Sequence, residues 1–400
     1  MRILYVVYWG ALEQLGQSLV VPAVKHLAKM GADITLVTFE KKSDLANIDE
    51  MNRVRETLEN DDIEWVPLEY HKKPKLPATL YDIANGIVFG LRSRLKKNYD
   101  IVHGRTYLGG LIGVALAPLI RAKFVYHNEG FYPDEQVDGG FWKKDSRIHR
   151  IANRLDNLMY ARASGIVTLS FRAKAELENR SEVREKNTPV IVVPSCVDLE
   201  RFHLPVQIPE GSAQNIRLVY IGSVGGRYIL DRIGEFVKVA RNSGIEVSLQ
   251  VFNKADQGLA REMIESSGLS PSAWRLGAVP YIEMPEQLSK YHAGLFFLTQ
   301  GISEHGCSPT KIGEYWAVGL PVVTTPNVSD TDEIIRKYRV GVIVEEHSEG
   351  SYRKAIDELV ELLRDPDLAT RCRKAAEENY ALQPACERQF ELYRDLVRAA

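Results

Sequence analysis

The stretch from Ser303 to Thr325, SEHGCSPTKIGEYWAVGLPVVTT, holds the residues best suited to chemistry. It reads as a loop, a short helix and a buried strand. Pro309 suits a helix start, because the first turn leaves its backbone nitrogens unbonded in any case. Lys311 and Glu314 then stand three apart on one helical face. A helix N-terminus presents free N–H groups and the positive end of the macrodipole, which suits an anion such as a diphosphate. A carboxylate one turn further on can accept hydrogen bonds from a ribose diol. From spacing alone, an ordinary solvated Lys–Glu pair is the simpler explanation of the same residues.

The N-terminal half offers His103 and His127, each closing a strand-like run. A lone histidine there is usually just a satisfied polar group. Gly16 and Gln17 open the first long helix, where a missing side chain lets a phosphate or an acceptor approach the backbone. Arg105 suits an acidic acceptor group, and a plain surface role fits it equally. A basic cluster of Lys72, Lys73, Lys75, Arg92, Arg94, Lys96 and Lys97 flanks LPATLYDIANGIVFGL. That segment reads either as a solvated helix with charged ends or as a peripheral patch for anionic lipid or a lipid-diphosphate acceptor.

The elements that must position these groups alternate between strand and helix. RILYVVY (Arg2 to Tyr8) is a continuous apolar run, as expected of a strand buried on both faces. The helix SLVVPAVKHLAKMG follows, closed by Gly31. Further strands are expected at Asp33–Phe39, Asp62–Leu68, Asp100–His103, Lys123–His127, Ala163–Ser170 and Val190–Val193. The run Leu108 to Ile120 is too short to span a bilayer and contains Gly109, Gly110, Gly113 and Pro118, so it reads as a buried helix. Residues 203–215, HLPVQIPEGSAQN, read as a linker. The pattern then restarts with strands at Arg217–Gly222, Glu246–Phe252, Gly294–Leu298, Pro321–Thr325 and Gly341–Val344, and a helix at Leu230–Ser243. Strands joined by helices imply right-handed crossovers and parallel sheets. The expected fold class is α/β, with two Rossmann-like parallel-sheet domains whose strand ends face each other across a cleft. The expected boundaries are 1–200 and 201–380, with an amphipathic helix in 381–400 (Cys386 to Ala400) packing back on the first domain.

Three segments carry a family resemblance. Ser308 to Val323 fits S-P-x-K-x-x-E-Y-x-A-x-G-x-P-V-V, which resembles the donor site of retaining glycosyltransferases with the GT-B fold. VVPSCVDLERF (Val192 to Phe202) is similar to that family's strand-and-turn segment at the domain junction. LVYIGSVGGRY (Leu218 to Tyr228) is similar to the glycine-rich loop that opens its C-terminal domain. The resemblance covers essentially the whole chain. It implies sugar transfer from a nucleoside diphosphate sugar to a glycan, a lipid-linked glycan or a small molecule. It also implies that the first domain holds the acceptor and the second the donor.

Under that resemblance Glu314 binds the ribose hydroxyls, and the backbone around Ser308, Pro309 and Thr310, with Lys311, lies near the diphosphate. The family's loop arginine is replaced by Ser223, after Gly222, and Arg227 becomes the nearest cation for the phosphates; Lys254 is a weaker candidate. The family's first glutamate falls on Gly306, so Glu304, or the backbone at Gly306 and Cys307, takes its place at the sugar. His127, in KFVYHNEGFYPDE, resembles the histidine that faces the transferred sugar. Asn128, Glu129 and Gly130 continue from it, and Phe131 to Glu135 form a loop over the acceptor.

Composition excludes other classes. A formal charge of -2 lacks the broad positive surface that nucleic-acid binding requires. The cysteines, Cys196, Cys307, Cys372 and Cys386, form no CxxC pair, which disfavours a disulfide framework or a zinc site. No DxD motif lies in the donor segments, so no essential metal and no cofactor beyond the donor are expected. No export signal stands out, and the cytoplasm is the expected compartment, with peripheral contact at the inner membrane face through the basic cluster. Two other readings stay open: an epimerase or hydrolase of the same fold, and a non-catalytic subunit that binds a nucleotide sugar. The base, the sugar, the acceptor and the oligomeric state are not specified.

Overall fold

The computed structural model describes residues 1–205 and 215–399. Most of the expected linker, 206–214, lies outside the described residues. The chain separates into two compact units: Met1–Pro133 with Lys144–Pro194 and Leu382–Ala400, and Asp134–Lys143 with Ser195–Ala381.

The first unit is built on β1 (Arg2–Val7), β2 (Asp33–Glu40), β3 (Glu64–Glu69), β4 (Ile101–Arg105), β5 (Lys123–His127), β6 (Gly165–Thr168) and β7 (Val190–Val192). They form one parallel sheet in the order β3-β2-β1-β4-β5-β6-β7. Ile3 to Val7 are almost wholly buried, which is why β1 reads as an unbroken apolar run. The apolar segment after β4 is the helix Thr106–Ile120. It closes tightly on the sheet because glycines meet there from both sides: a Cβ on Gly104 of β4 would lie 2.5 Å from the Gly109 carbonyl oxygen, and one on Gly113 of the helix 2.5 Å from the Phe124 ring. The last helix runs from Leu382 to Arg398, starting four residues before the charged run that marks it in the sequence. Its buried side includes Cys386, whose thiol faces the Ala23 carbonyl at 3.9 Å.

In the second unit β8 (Asn215–Ile221), β9 (Glu246–Phe252), β10 (Trp274–Gly277), β11 (Ala293–Phe296), β12 (Val322–Thr324) and β13 (Gly341–Ile343) pair in the order β10-β9-β8-β11-β12-β13, all parallel. The sequence reading missed β10, because WRLG is a four-residue edge strand with no apolar run of its own. The helix Thr310–Ala317 buries nearly its whole circumference, from Lys311 to Ala317. Trp316 donates to the Val340 carbonyl at 2.9 Å, and the Tyr315 hydroxyl accepts the Ile221 N–H at 3.0 Å. These bonds fix the helix against β8 and β13. Strand order reverses beside β1 and β4 in one sheet and beside β8 and β11 in the other, which is where open α/β sheets bind ligands.

Candidate functional site

In the second unit the chain leaves β8 through Gly222, at φ +112°, a conformation that favours glycine. Asn253 clamps this turn, its amide donating to the Gly222 carbonyl at 2.8 Å. Lys311 runs beneath it: a Cβ on Gly222 would lie 2.7 Å from Nζ. The rings of Tyr220, Tyr228 and Phe296 surround that nitrogen, each centroid 4.7 Å away. Nζ is buried and makes no hydrogen bond among the described residues. Burial pushes its pKa down to about 7, against the opposing charge of Glu314. The three ring faces attract the ammonium form and offset part of that penalty. A buried cation without a hydrogen-bonding partner is costly, and an anion brought close would relieve it.

Glu314 sits one turn further along, and its Oε1 accepts from the Tyr281 hydroxyl at 2.9 Å. Burial lifts this carboxyl to about 7, while Tyr281, Lys311 and Arg201 each favour its charged form. Arg201 in turn lies over the Tyr281 ring at 5.5 Å. Lys311 and Glu314 are therefore both buried groups, and the solvated-pair explanation does not hold. Pro309 is the N-cap of their helix and supplies no side-chain cap; its carbonyl accepts the Ile312 N–H at 3.1 Å, while the Thr310 and Lys311 amides precede the first intrahelical bond.

The turn before that helix is braced rather than open. Glu304 is fully buried, and its carboxylate accepts from the Ser303 hydroxyl at 3.0 Å. Arg227 lies 3.6 Å from Glu304 and 3.7 Å from Glu135, and donates to the Ser303 hydroxyl at 3.3 Å. The expected phosphate cation is thus matched by two carboxylates. Gly306, Cys307 and Ser308 are buried; burial pushes the Cys307 thiol up to about 12, and the Ser308 hydroxyl accepts the Ser195 N–H at 3.1 Å. Ser223 is exposed, as is Lys254 on the turn after β9.

In the first unit, the parallel register sets Arg105 beside His127, and His103, two residues back, shares their face. The His103 Nε2 and His127 Nδ1 atoms are 3.2 Å apart. Burial drives both imidazoles well below their usual range, and the Arg105 charge adds to this. Arg105 is itself occupied: Glu129 accepts its Nε–H at 2.5 Å, and Trp9 lies under its guanidinium at 5.8 Å. Asn128 donates to the Tyr160 hydroxyl and accepts the Gly130 N–H at 3.1 Å. The Gln17 amide holds the Ala11 carbonyl at 2.7 Å, and a Cβ on Gly16 would collide with Gly10 and Ala11. So Gly16 and Gln17 brace the loop after β1.

Residues 18–201 match the model of Glycosyltransferase Family 4, and residues 207–379 match that of Glycosyl transferases group 1. The chain belongs to the retaining GT-B-fold glycosyltransferases. It transfers a sugar from a nucleotide-sugar donor to an acceptor. Among solved structures, the transferase is similar to sucrose-phosphate synthase of Thermosynechococcus elongatus, at 13% identity over 100% of both chains with a TM-score of 0.71. A glycosyltransferase of Rickettsia africae ESF-5 matches at 15% identity over 100% of this chain and 99% of its own, with a TM-score of 0.67. HepE of Anabaena, solved in complex with UDP-glucose, matches at 14% identity over 100% of both chains, with a TM-score of 0.64. Comparison with curated protein sequences returns no match.

The transferase's two units each bring a cluster together at the carboxyl ends of their strands. One joins His127 with Arg105 and Glu129, and the other joins Gly222 with Lys311 and Glu314. Sequence reasoning missed Tyr281, the three-ring cage around Lys311, and the partners of His103. Tyr220 and Tyr228 stand inside the quoted glycine-loop motif, and their two aromatic positions flanking the turn were the available signal. Tyr281, in a turn after an edge strand, offered none.

Proposed function

We propose that the donor site is the N-terminal end of the helix Thr310–Ala317 together with the Gly222 turn, and that it holds a nucleoside diphosphate hexose. The Ser308 and Thr310 amides and the Lys311 ammonium face the diphosphate, and Glu314 holds the ribose hydroxyls. The observation that carries this reading is Lys311: a buried amine with no hydrogen-bonding partner among the described residues, set beneath a glycine turn and beside a helix end without a side-chain cap. HepE of Anabaena is solved in complex with UDP-glucose, so UDP-glucose heads the donors to test.

As the anomeric C–O bond breaks, negative charge grows on the departing diphosphate. Preorganised donors stabilise that charge without rearranging, and losing one such donor costs about 2.7–4 kcal/mol in other enzymes. Bringing the diphosphate to Lys311 also raises the amine's affinity for its proton, so the lysine carries full charge when needed. The acceptor attacks on the face that the diphosphate leaves, with a diphosphate oxygen taking its proton, and configuration is retained. Neither step requires a metal. His127 donates a hydrogen bond to a hydroxyl of the transferred sugar, and Glu304 with the backbone at Gly306 and Cys307 takes the sugar's far side. The first unit binds the acceptor.

The acceptor is carried on a lipid. The helix Lys75–Arg94 exposes Leu76, Leu80, Val88 and Leu91, spaced to share one face, and Leu95 follows. Exposed Lys72, Lys73, Lys75, Arg92 and Lys96 flank them. Apolar side chains ringed by cations suit the surface of an anionic bilayer, at which the transferase works in the cytoplasm in glycan assembly. No helix among the described residues is long and apolar enough to cross a membrane.

Thermal-shift screening of the full chain against nucleotides and nucleotide sugars tests the donor assignment, because a ligand of the folded state raises its melting temperature. Stabilisation by a nucleoside diphosphate sugar that Glu314→Ala abolishes is the expected result. Equal stabilisation of both proteins contradicts it.

A further inference from the structure

We propose that Tyr393 and His103 are positioning residues that lock His127 in the tautomer carrying its proton on Nε2. The proposal rests on the reading that His127 faces the transferred sugar. It starts at the last helix, where the Gln389 amide donates to the Tyr393 hydroxyl at 2.5 Å. A phenol oxygen that accepts one hydrogen bond still has its own hydrogen to give. The atom in reach is Nδ1 of His103, at 2.7 Å. Nδ1 of His103 is therefore an acceptor, and its neutral ring carries the proton on Nε2. That proton points at Nδ1 of His127, 3.2 Å away. Nδ1 of His127 accepts in turn, which leaves its ring proton on Nε2.

The far end of this chain of bonds is the informative one. Nε2 of His127 is buried and has no hydrogen-bond partner among the described residues. Every other polar atom in the series, from the Gln389 amide to Nδ1 of His127, is matched to a neighbour. The rings are also held in place: His103 stacks on Tyr5 with centroids 4.1 Å apart at 16°, and meets both His127 and Tyr393 edge-on. The result is a single N–H, fixed in direction, offered to a sugar oxygen. The other tautomer would present a lone pair there. The helix Leu382–Arg398 thus reaches the chemistry through two imidazoles without touching the substrate itself.

The test uses the full-length protein with its histidine rings labelled with nitrogen-15. Long-range proton–nitrogen correlation spectra should show His127 protonated on Nε2 and bare on Nδ1. Tyr393→Phe should convert this to a mixture of tautomers, with kcat falling about tenfold and the donor KM changing less than about twofold. His103→Gln keeps an N–H aimed at Nδ1 of His127 and should retain most of kcat, whereas His103→Leu should lose it. The Gln variant separates positioning from packing, since both substitutions remove the imidazole. An Nδ1-protonated His127 in the parent protein overturns the proposal. So does a tautomer and kcat unmoved by both Tyr393→Phe and His103→Leu while His127→Ala abolishes transfer. Full transfer by His127→Ala overturns instead the reading of His127 on which the proposal rests.

Discussion

The Tyr281 hydroxyl donates to Oε1 of Glu314 at 2.9 Å, joining a turn after the edge strand to the helix that carries the buried lysine. Tyr281 is the hydrogen-bond partner of this carboxyl among the described residues, and in the proposed donor site it would orient the group toward the ribose diol. A hydrogen bond to a charged group contributes about 1.5–3 kcal/mol. Tyr281→Phe should therefore weaken donor binding by about tenfold or more while leaving kcat nearly unchanged. Steady-state kinetics with varied donor will show this as a rise in KM. An unchanged KM would mean that Glu314 is held in place by other means.

The buried Lys311 and Glu314 should give stability a pH signature. The Lys311 amine is lowered to about 7 in the folded chain, so its contribution is full at high pH and is lost as pH falls through about 7. Lys311→Met removes that penalty and should raise the melting temperature near pH 6, with the gain fading toward pH 10, while transfer is lost. Glu314 is raised to about 7, so its contribution is full below its unfolded value and is lost as pH rises through about 7. Glu314→Gln should stabilise at about pH 8–9 and not near pH 5. A lower melting temperature for Lys311→Met at pH 6 would show that the aromatic cage outweighs burial.

Thiol chemistry offers a simpler check. Cys196, Cys307, Cys372 and Cys386 are all buried, and burial pushes the Cys307 thiol up to about 12. The thiolate is the reactive form, so a disulfide-exchange reagent should react slowly with the native protein and titrate all four thiols after denaturation. A fast-reacting thiol in the native state contradicts this burial.

Much of the fold was legible because parallel strands buried on both faces leave continuous apolar runs, as RILYVV does. Edge positions leave weaker marks, and β10 at WRLG went unseen. The site was legible where backbone demands special residues, as at Gly222 and Pro309. It was not legible where function depends on partners distant in sequence. Arg227 stands in a loop that looks made for phosphate, yet Glu135, from a segment 92 positions earlier, is one of the carboxylates that hold it. The link from Tyr393 to His103 joins residues 290 apart, and no spacing rule reaches that far.

Vesicle sedimentation tests the lipid surface. The protein should pellet with vesicles rich in phosphatidylglycerol and not with pure phosphatidylcholine, and raised salt should release it. Leu80→Ser combined with Leu91→Ser should weaken vesicle binding about thirtyfold or more, since each exposed leucine that enters the interface contributes about 1–2 kcal/mol. Equal pelleting by the variant, or none by the parent, removes this helix from the account.

Calorimetric titration of the full-length protein with nucleoside diphosphate sugars bears most directly on the donor site. The parent should bind at least one of them tightly, Glu314→Ala and Lys311→Met should each weaken that binding by about tenfold or more, and His127→Ala, which loses one hydrogen bond to the sugar, should weaken it less than either. The same affinity in the parent, Glu314→Ala and Lys311→Met would contradict the assignment of the nucleotide to the Thr310 helix.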